Sequence, residues 1–231
     1  MDNIYLILIL TTPLFPILLS FDKRVAYVKN WKWSLLAAVI IAIPYLIWDE
    51  IFTANAFWGF NRNYLVEIYI GNLPIEEVSF FIVVPFACMF IYECVKYYFR
   101  NMKLKYINLA FYVVFFAYAL IVGEAGIEGW YTRIAISLGL LLALYLFIKK
   151  EEFKFIPLAF LFSMLPFLLV NGILTGSFLE KPIVFYHPAE FSELRIFTIP
   201  MEDVVYGFGL IVLNIMLFEW FKKKFESPKK S

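Results

Sequence analysis

The chain has 231 residues, of which 63% are hydrophobic and 17% are charged, and its formal net charge is +1. Water-soluble domains are about 45–50% apolar, so a soluble fold could not bury this excess, and the balanced charge does not indicate a nucleic-acid partner. With two cysteines in one apolar stretch and a single histidine, the chain also lacks the residues for a disulfide framework or for a metal site with two imidazoles.

Seven charge-free apolar stretches follow one another and predict membrane-spanning helices, each of which needs about 20 mostly apolar residues. Barrel strands would instead alternate polar and apolar residues. The first stretch has no basic segment before it and no small-residue cleavage site, so we interpret it as a span and not as a signal peptide. We therefore predict an all-α integral membrane protein of seven transmembrane helices, at 3–21, 33–48, 78–92, 106–123, 134–148, 155–179 and 204–218.

Basic residues concentrate in alternate loops and predict the orientation of the chain. The segments 21–33, 96–105 and 149–154 and the C-terminal tail are rich in lysine. Because cytoplasmic loops carry an excess of Lys and Arg, we expect the N-terminus outside and the C-terminus in the cytoplasm of a multi-pass cell-membrane protein. The basic residues of the opposite side are Arg62, Arg133, Lys181 and Arg195.

Three of the stretches are too short to span by themselves. The stretches 78–92, 134–148 and 204–218 would each be about 22 Å long as helices, whereas the hydrocarbon core is roughly 30 Å thick. Carboxylates near membrane depth are costly and are functional candidates by default. The third and seventh spans reach full length only if they take in Glu76, Glu77 and Glu93, and Glu202, Asp203 and Glu219.

An internal repeat brings these acids into register. Residues 44–53 match 166–175 at an offset of 122, and residues 73–77 match 199–203 at an offset of 126. Spans 1–3 then correspond to spans 5–7 in a parallel repeat whose pseudo-two-fold axis lies along the membrane normal. The predicted units are a first repeat at 1–104, a connecting helix at 105–125, a second repeat at 126–222 and a basic cytoplasmic tail at 223–231.

Both Pro-x-acid-acid motifs are placed to open a helix, because proline at the first helical position has a preset φ. Glu76 shares a helix face with Phe80 and Val83, and Glu202 shares one with Tyr206 and Gly209. In a symmetric bundle these faces can meet at one central cavity. The alternative is that each Glu only caps its helix.

Other polar residues of the apolar stretches receive simpler predictions. Glu93 and Glu219 precede Lys96 and Lys222 by three residues, which predicts surface ion pairs along each helix. Asp49 and Asn171 end the second and sixth spans at the same depth as the motifs. Cys88 and Cys94 are expected to pack in the interior, and His187 to be a polar loop residue.

Paired carboxyls buried in an apolar site retain a proton at neutral pH, since burial and a like-charged neighbour both disfavour ionisation. Such a site is an acid that needs neither metal nor cofactor. Aromatic faces around it can stabilise a carbocation. Together these features predict the proton-initiated cyclisation of an isoprenoid as apolar as the bilayer itself.

The same residues resemble a known family. The resemblance rests on Phe60-Asn61, 73–77 and Phe80-Phe81 in the first half, and on Asn171-Gly172, Arg195-Ile196, 199–203 and Tyr206-Gly207 in the second. These are similar to the small membrane-integral lycopene cyclases of the heterodimeric bacterial type, with the two subunits fused into one chain. The resemblance implies conversion of linear lycopene to β-carotene by an isomerase-type reaction with no cofactor consumed.

Carried onto this sequence, the acidic motifs of the family fall on Glu76, Glu77, Glu202 and Asp203. In the mechanism that we predict, Glu76 or Glu202 protonates the terminal double bond of the ψ end group. Glu77 or Asp203 then removes a proton from the closed ring. Further site candidates that could stabilise the cation or contact the substrate are Trp48, Asp49, Asn61, Phe80, Phe81, Asn171 and Tyr206.

Three other functions are compatible with a chain of apolar helices. A retinal protein would need a lysine within the last span, and none lies between Asp203 and Lys222. A membrane isoprenoid transferase would need aspartate-rich clusters for Mg²⁺ and diphosphate, for which two acid pairs are a poor substitute. A transporter or scaffold without chemistry remains an alternative, since acids in the membrane can relay protons. The expected partners are a linear carotenoid and the lipid bilayer. The ring type, the number of ring closures and any homo-oligomer or association with other carotenoid enzymes stay open.

Overall fold

The computed structural model describes residues 3–226, most of which form eight α-helices. Three of them carry the acids of the sequence motifs or their neighbours: α3, α4 and α8. The helices are α1 (Ile4–Thr11), α2 (Leu14–Leu19), α3 (Trp31–Ala54), α4 (Ile75–Tyr98), α5 (Lys105–Ala125), α6 (Trp130–Ile148), α7 (Ile156–Leu174) and α8 (Met201–Glu226). Lys229 and Lys230 of the predicted basic tail lie outside the described residues.

Six helices of the described chain, α3 to α8, are long and apolar enough to cross a membrane. Glu76, Glu77 and Glu93 lie within α4, and Glu202, Asp203 and Glu219 lie within α8. The prediction that these two spans reach full length by taking in their carboxylates is therefore confirmed. The predicted sixth span is shorter than expected, because α7 ends at Leu174 and the chain turns at Thr175 and Gly176.

The stretch 3–21 is not the single helix that the sequence predicts. It forms α1 and α2, separated by a turn at Thr12 and Pro13. Pro13 and Pro16 have no backbone N–H to continue the helical hydrogen bonds, which accounts for the break. The counterpart of Pro13 in the second repeat, at the offset of 126, is Gly139. The helix α6 continues through this glycine, and a Cβ added to it would lie 2.2 Å from the Val205 side chain. A seventh spanning helix therefore stays a prediction.

Short antiparallel strand pairs in the loops between helices accompany the helical bundle and were not predicted. One pair joins the two repeats, β1 (Trp58–Phe60) with β4 (Val184–Tyr186), and Gly59 faces Phe185 at its centre. The other two are hairpins that lead into α4 and α8. They consist of β2 (Tyr69–Ile70) with β3 (Leu73–Pro74), and β5 (Arg195–Ile196) with β6 (Ile199–Pro200).

The β1–β4 pair shows the two-fold relation of the repeats directly. Its register is symmetric about Gly59 and Phe185, which are themselves related by the offset of 126. The flanking bonds obey the same relation, because Asn61 N donates to Ile183 O at 2.8 Å and His187 N donates to Phe57 O at 2.7 Å. The backbone hydrogen bonds of this pair thus hold the loops of both repeats together at one end of the bundle.

At the opposite end, ion pairs join α4 to α8, in addition to the predicted i,i+3 pair of Glu93 with Lys96, which is confirmed. Lys96 Nζ lies 2.5 Å from Glu219, and Lys222 Nζ lies 2.8 Å from Glu93. Lys96 also keeps an i,i+3 contact with Glu93 at 3.3 Å. Asn30 donates to Glu93 at 2.9 Å. The partners cross because α4 and α8 lie side by side, so that each lysine reaches the acid of the other repeat. We call this the Lys-rich end.

Candidate functional site

Both acid motifs are held at the start of a helix by the same local structure. β3 and β6 end in proline, and the next residue starts α4 or α8. Ile75 N donates to Ile68 O and Met201 N donates to Leu194 O, which closes the two hairpins in the same way. The first turn of each helix therefore carries two adjacent carboxyls that point in different directions.

The first acid of each motif holds the loop that precedes the hairpin. Glu76 Oε1 accepts from Val66 N at 2.7 Å, and Glu202 Oε1 accepts from Ser192 N at 2.6 Å. Thr132 of α6 also donates to Glu202 Oε1, at 2.7 Å. Both carboxyls are 0% exposed. Neither carboxyl lines the central cavity of the bundle, since the start of each helix turns both towards the loop backbone.

The second acid of each motif faces the centre of the bundle and accepts a tyrosine hydroxyl. Tyr5 of α1 donates to Glu77 Oε2 at 2.6 Å, and Tyr131 of α6 donates to Asp203 Oδ1 at 2.5 Å. Both tyrosines are almost fully buried. Since donor and acceptor are each separated by 126 residues from their counterparts, the two pairs are related by the repeat.

Asp203 has additional donors that the first repeat does not supply to Glu77. Asn171 Nδ2 donates to Asp203 Oδ2 at 2.9 Å, and Tyr186 of β4 donates to the same oxygen at 2.8 Å. Burial and the Asp203 charge raise the pKa of Tyr186, so its hydroxyl remains a donor over the physiological range. Both carboxylate oxygens of Asp203 thus accept hydrogen bonds from side chains.

Asp49 of α3 is the third acid at this level. Its Oδ1 accepts from Trp58 Nε1 at 2.5 Å, and the residue is 2% exposed. Asp49 is the repeat counterpart of Asn171, and Trp58 faces Tyr186 across the β1–β4 pair. The two strands therefore contribute one donor each to the acids below them.

These three acids open onto one cavity of about 110 Å³ that extends between α4, α7 and α8. Its three acids lie at the end near β1 and β4, and its remaining walls are largely apolar. The cavity is lined by Thr12, Asp49, Trp58, Phe60, Glu77, Phe80, Val84, Ala87, Cys88, Ile91, Tyr131, Ser163, Pro166, Phe167, Val170, Asn171, Leu174, Val184, Tyr186, Asp203, Tyr206, Gly207, Leu210 and Ile211.

The structure brings part of the predicted set to this cavity. Asp49, Phe80, Asn171 and Tyr206 line it together with Glu77 and Asp203. Trp48 and Phe81 instead pack in an adjoining aromatic cluster around Tyr45. Asn61 lies in the loop, where its side chain accepts from Asn63 N at 3.2 Å and its amide donates to Pro182 O at 3.3 Å.

Sequence reasoning missed the donors that hold the acids. None of the four was predicted as a site residue, although Tyr5, Trp58, Tyr131 and Tyr186 all donate to the acids. Tyr5 and Tyr131 carried a usable signal, since they differ by the same offset of 126 as Glu77 and Asp203. Within residues 3–226, no three side chains of the metal-ligating types are grouped so that they could hold a metal ion.

Comparison with known proteins agrees with this duplicated arrangement. The family model described as lycopene cyclase matches the chain twice, at residues 2–95 and 128–221. The two matches are offset by 126 residues, as are the paired tyrosines and acids, and α5 lies in the unmatched segment between them. No curated protein and no solved structure matches the chain. The chain therefore belongs to the lycopene cyclase family, with the family's domain present in two copies.

Proposed function

We propose that this protein is a lycopene cyclase that converts the ψ end groups of lycopene to β-rings, an isomerisation without redox change. The observation that carries the proposal is the pairing of Glu77 and Asp203 in one largely apolar cavity, each with a different set of hydrogen-bond donors. Family membership supports carotenoid cyclisation in general. The specific reaction and the roles of the residues are our inference.

Glu77 is the proposed acid. Among the described residues, Tyr5 supplies its one side-chain hydrogen bond, to Oε2, which leaves Oε1 able to carry a proton. A carboxyl in an apolar cavity beside other acids is favoured in its neutral form, because charge is costly there. A proton on Oε1 could then be delivered to a double bond bound in the cavity.

Asp203 is the proposed base. Tyr131, Asn171 and Tyr186 all donate to it, so its charged form is stabilised and its position fixed. A fixed carboxylate in a medium of low polarity also opposes the positive charge of a carbocation. Asp49, held by Trp58, adds a further carboxyl that can take up or relay the proton.

The reaction balances without a co-reactant. Glu77 transfers its proton to the terminal double bond, which leaves a tertiary cation. The electron pair of the neighbouring double bond attacks this cation and closes a six-membered ring, which moves the positive charge onto the ring. Asp203 removes a ring proton, and the electrons of that C–H bond form the ring double bond. One proton is gained and one is lost, so the product is an isomer of the substrate.

Aromatic walls support a cationic intermediate in this cavity. Phe80 and Tyr206 line it beside the acids, and Trp58, Tyr131 and Tyr186 surround the same end. The ring centroids of Trp58 and Tyr131 lie 5.2 Å apart. Aromatic faces attract cations by about 0.5–2 kcal/mol each, more where water is excluded.

We propose a positioning role for Glu76 and Glu202, which the sequence motif suggested as acids. Their hydrogen bonds to Val66 N and Ser192 N support it, since these bonds fix the loops above the cavity. They act on the reaction through the loops and not by touching the substrate.

The membrane arrangement that we propose has seven crossings, with the N-terminus outside and the C-terminus in the cytoplasm of a cell membrane. The six long apolar helices support a multi-pass membrane protein, and α1–α2 would provide the remaining crossing. The carotenoid would then reach the cavity laterally from the bilayer.

The proposed function is tested by expressing the chain in a bacterial host that accumulates lycopene and separating the pigments by chromatography. The expected result is conversion of lycopene to products with one or two β-rings. Unchanged lycopene, with the protein verified in the membrane by immunoblot, contradicts the proposal and favours a transporter or scaffold.

The origin of the added proton gives a second, mechanistic readout. In D₂O, each ring formed is expected to gain one deuterium, because the carboxyl proton exchanges with solvent. An E77Q variant should accumulate lycopene without cyclic product. E128Q, which alters a carboxyl in the loop between α5 and α6, is the matched control and should retain the wild-type product pattern. Rings formed without deuterium would exclude an exchangeable acid.

A further inference from the structure

The internal repeat provides two related sites for a groove, but the described chain keeps only one of them open. The open groove runs along α4 from Glu77 to Ile91, a distance of about 21 Å at the rise of an α-helix, with α7 and α8 as its other walls. Because α4 corresponds to α8 and α7 to α3, the related site lies between α8, α3 and α4.

Aromatic side chains fill that related site. Tyr45 and Trp48 come from α3 and Phe81 from α4, and together they contact Tyr206 of α8. The ring centroids lie 5.9 Å apart for Tyr45 and Phe81, 5.8 Å for Tyr45 and Trp48, and 4.9 Å for Trp48 and Tyr206. Tyr45 and Phe81 are 2% and 1% exposed. We call Tyr45, Trp48 and Phe81 the aromatic plug.

The counterparts of the plug on the open side are smaller. Phe81 corresponds to Gly207 at the offset of 126, and Trp48 corresponds to Val170 at the offset of 122. A Cβ added to Gly207 would lie 3.5 Å from Phe167, the counterpart of Tyr45. In the filled site the ring of Phe81 packs against Tyr45, whereas Gly207 places no side chain against Phe167. The open groove passes through the space beside Gly207 and Phe167.

We propose that one groove performs every ring closure of this enzyme, and that the aromatic plug closes the second. This inference rests on the proposed cyclase function and specifies how its substrate is handled. Glu77 and Asp203, one acid from each repeat, then serve a single reacting end and not one end each. A substrate with one finished ring must leave the groove and return with its other end before a second ring can form.

The inference is tested by filling the open groove. G207F places in the open groove the aromatic ring that Phe81 provides in the filled site. We therefore expect monocyclic and bicyclic products to be lost together. V170W is a second blocking variant, so that a folding defect in one does not decide the result. V113F adds the same ring to a lipid-facing position of α5, where Val113 is 61% exposed, and should leave the product pattern unchanged.

Protein amount in the membrane and thermal unfolding in detergent are measured for each variant, and only folded protein is scored. If either folded blocking variant still closes one ring at the wild-type rate, a second groove exists and the inference is overturned. This outcome is distinct from failure of the proposed function, in which the wild-type chain itself forms no ring.

Release between the two closures gives an independent test. Labelled lycopene is supplied to wild-type membranes together with an excess of unlabelled monocyclic product. A single groove requires release, so the label in the bicyclic product should be diluted by the added monocycle. Undiluted label would mean that both ends react during one binding event, which contradicts the proposal.

Discussion

At the scale of single residues, adjacent carboxyls in one helical turn have different surroundings. Glu76 accepts a backbone N–H of the loop, whereas Glu77 faces the cavity and accepts the Tyr5 hydroxyl. The motif identifies both as acids in a first turn but does not distinguish them, because the direction of each side chain depends on where the loop and α1 pack. The tertiary contacts therefore decide which residue is available for chemistry.

This difference predicts unequal effects of the same substitution. E77Q removes the transferable proton, and since general acid catalysis contributes about 10²–10⁴-fold, we expect turnover to fall by at least about 100-fold. E76Q keeps an oxygen that can accept from Val66 N, so we expect activity within about tenfold of wild type, with a stability loss of about 1 kcal/mol. Initial rates of ring formation in isolated membranes measure both. The assignment is wrong if E76Q is the inactive variant and E77Q the active one.

At the scale of elements, apolar length predicted α3 to α8 well because lipid-facing helices are apolar over their whole length. The hairpins before α4 and α8 were not predicted, since strands of two residues carry no recognisable alternation. The break between α1 and α2 could be predicted only in part. Pro13 and Pro16 were visible, but prolines also occur within continuous helices here, as Pro44 and Pro85 do.

The two hairpins predict opposite effects of substitutions at their equivalent turn positions. Gly71 has a φ of +64°, and a Cβ there would lie 2.8 Å from Glu50 Oε2, so G71A should destabilise the protein by about 1 kcal/mol or more. Phe197, its counterpart, has a φ of +56° and is 86% exposed. F197G removes left-handed strain with little loss of packing, and should stabilise by about 1 kcal/mol.

Thermal unfolding in one detergent measures both hairpin variants against wild type. Equal shifts of the same sign would show that the turn conformation does not limit stability at these positions.

At the scale of the whole molecule, the repeat explains both ends of the bundle. The pair of Glu77 and Asp203 near β1 and β4 and the ion pairs at the Lys-rich end are each built from α4 and α8. The sequence established the repeat from short matches, yet it could not give the crossed pairing or the donors of the site. Tyr5 and Glu77 are 72 residues apart, and their contact depends on how separate helices pack.

The crossed pairing predicts that two neighbouring lysines of α8 differ in their effect on stability. K222M leaves Glu93, which is 9% exposed, without its closest lysine. Removing one partner of a buried pair costs about 3–5 kcal/mol, and for this partly exposed pair we expect about 2 kcal/mol. K223M is the control, because Lys223 lies 3.8 Å from Glu152 with both side chains largely exposed. Denaturation in detergent should separate the two variants, and equal midpoints would contradict a structural role of the crossed pairs.

The path of α1 and α2 predicts on which side of the membrane each terminus lies. Tyr5 near the start of α1 contacts Glu77 in the first turn of α4. Ser20, just after α2, accepts from Trp31 Nε1 at 3.0 Å, and Trp31 follows Asn30, which contacts Glu93 near the other end of α4. The segment therefore runs along most of α4, and since α4 is long enough to span, we expect α1–α2 to cross the membrane as well.

Cysteine labelling in intact cells measures this arrangement, in a chain whose native Cys88 and Cys94 are replaced by alanine. With seven crossings, N3C should react with a membrane-impermeant maleimide from outside. K224C should react only after the membrane is permeabilised, because an odd number of crossings puts the termini on opposite sides. Labelling of both positions under the same condition would mean six crossings. That result would contradict the proposed arrangement, because Tyr5 and Ser20 lie near opposite ends of α4, which is long enough to cross the membrane.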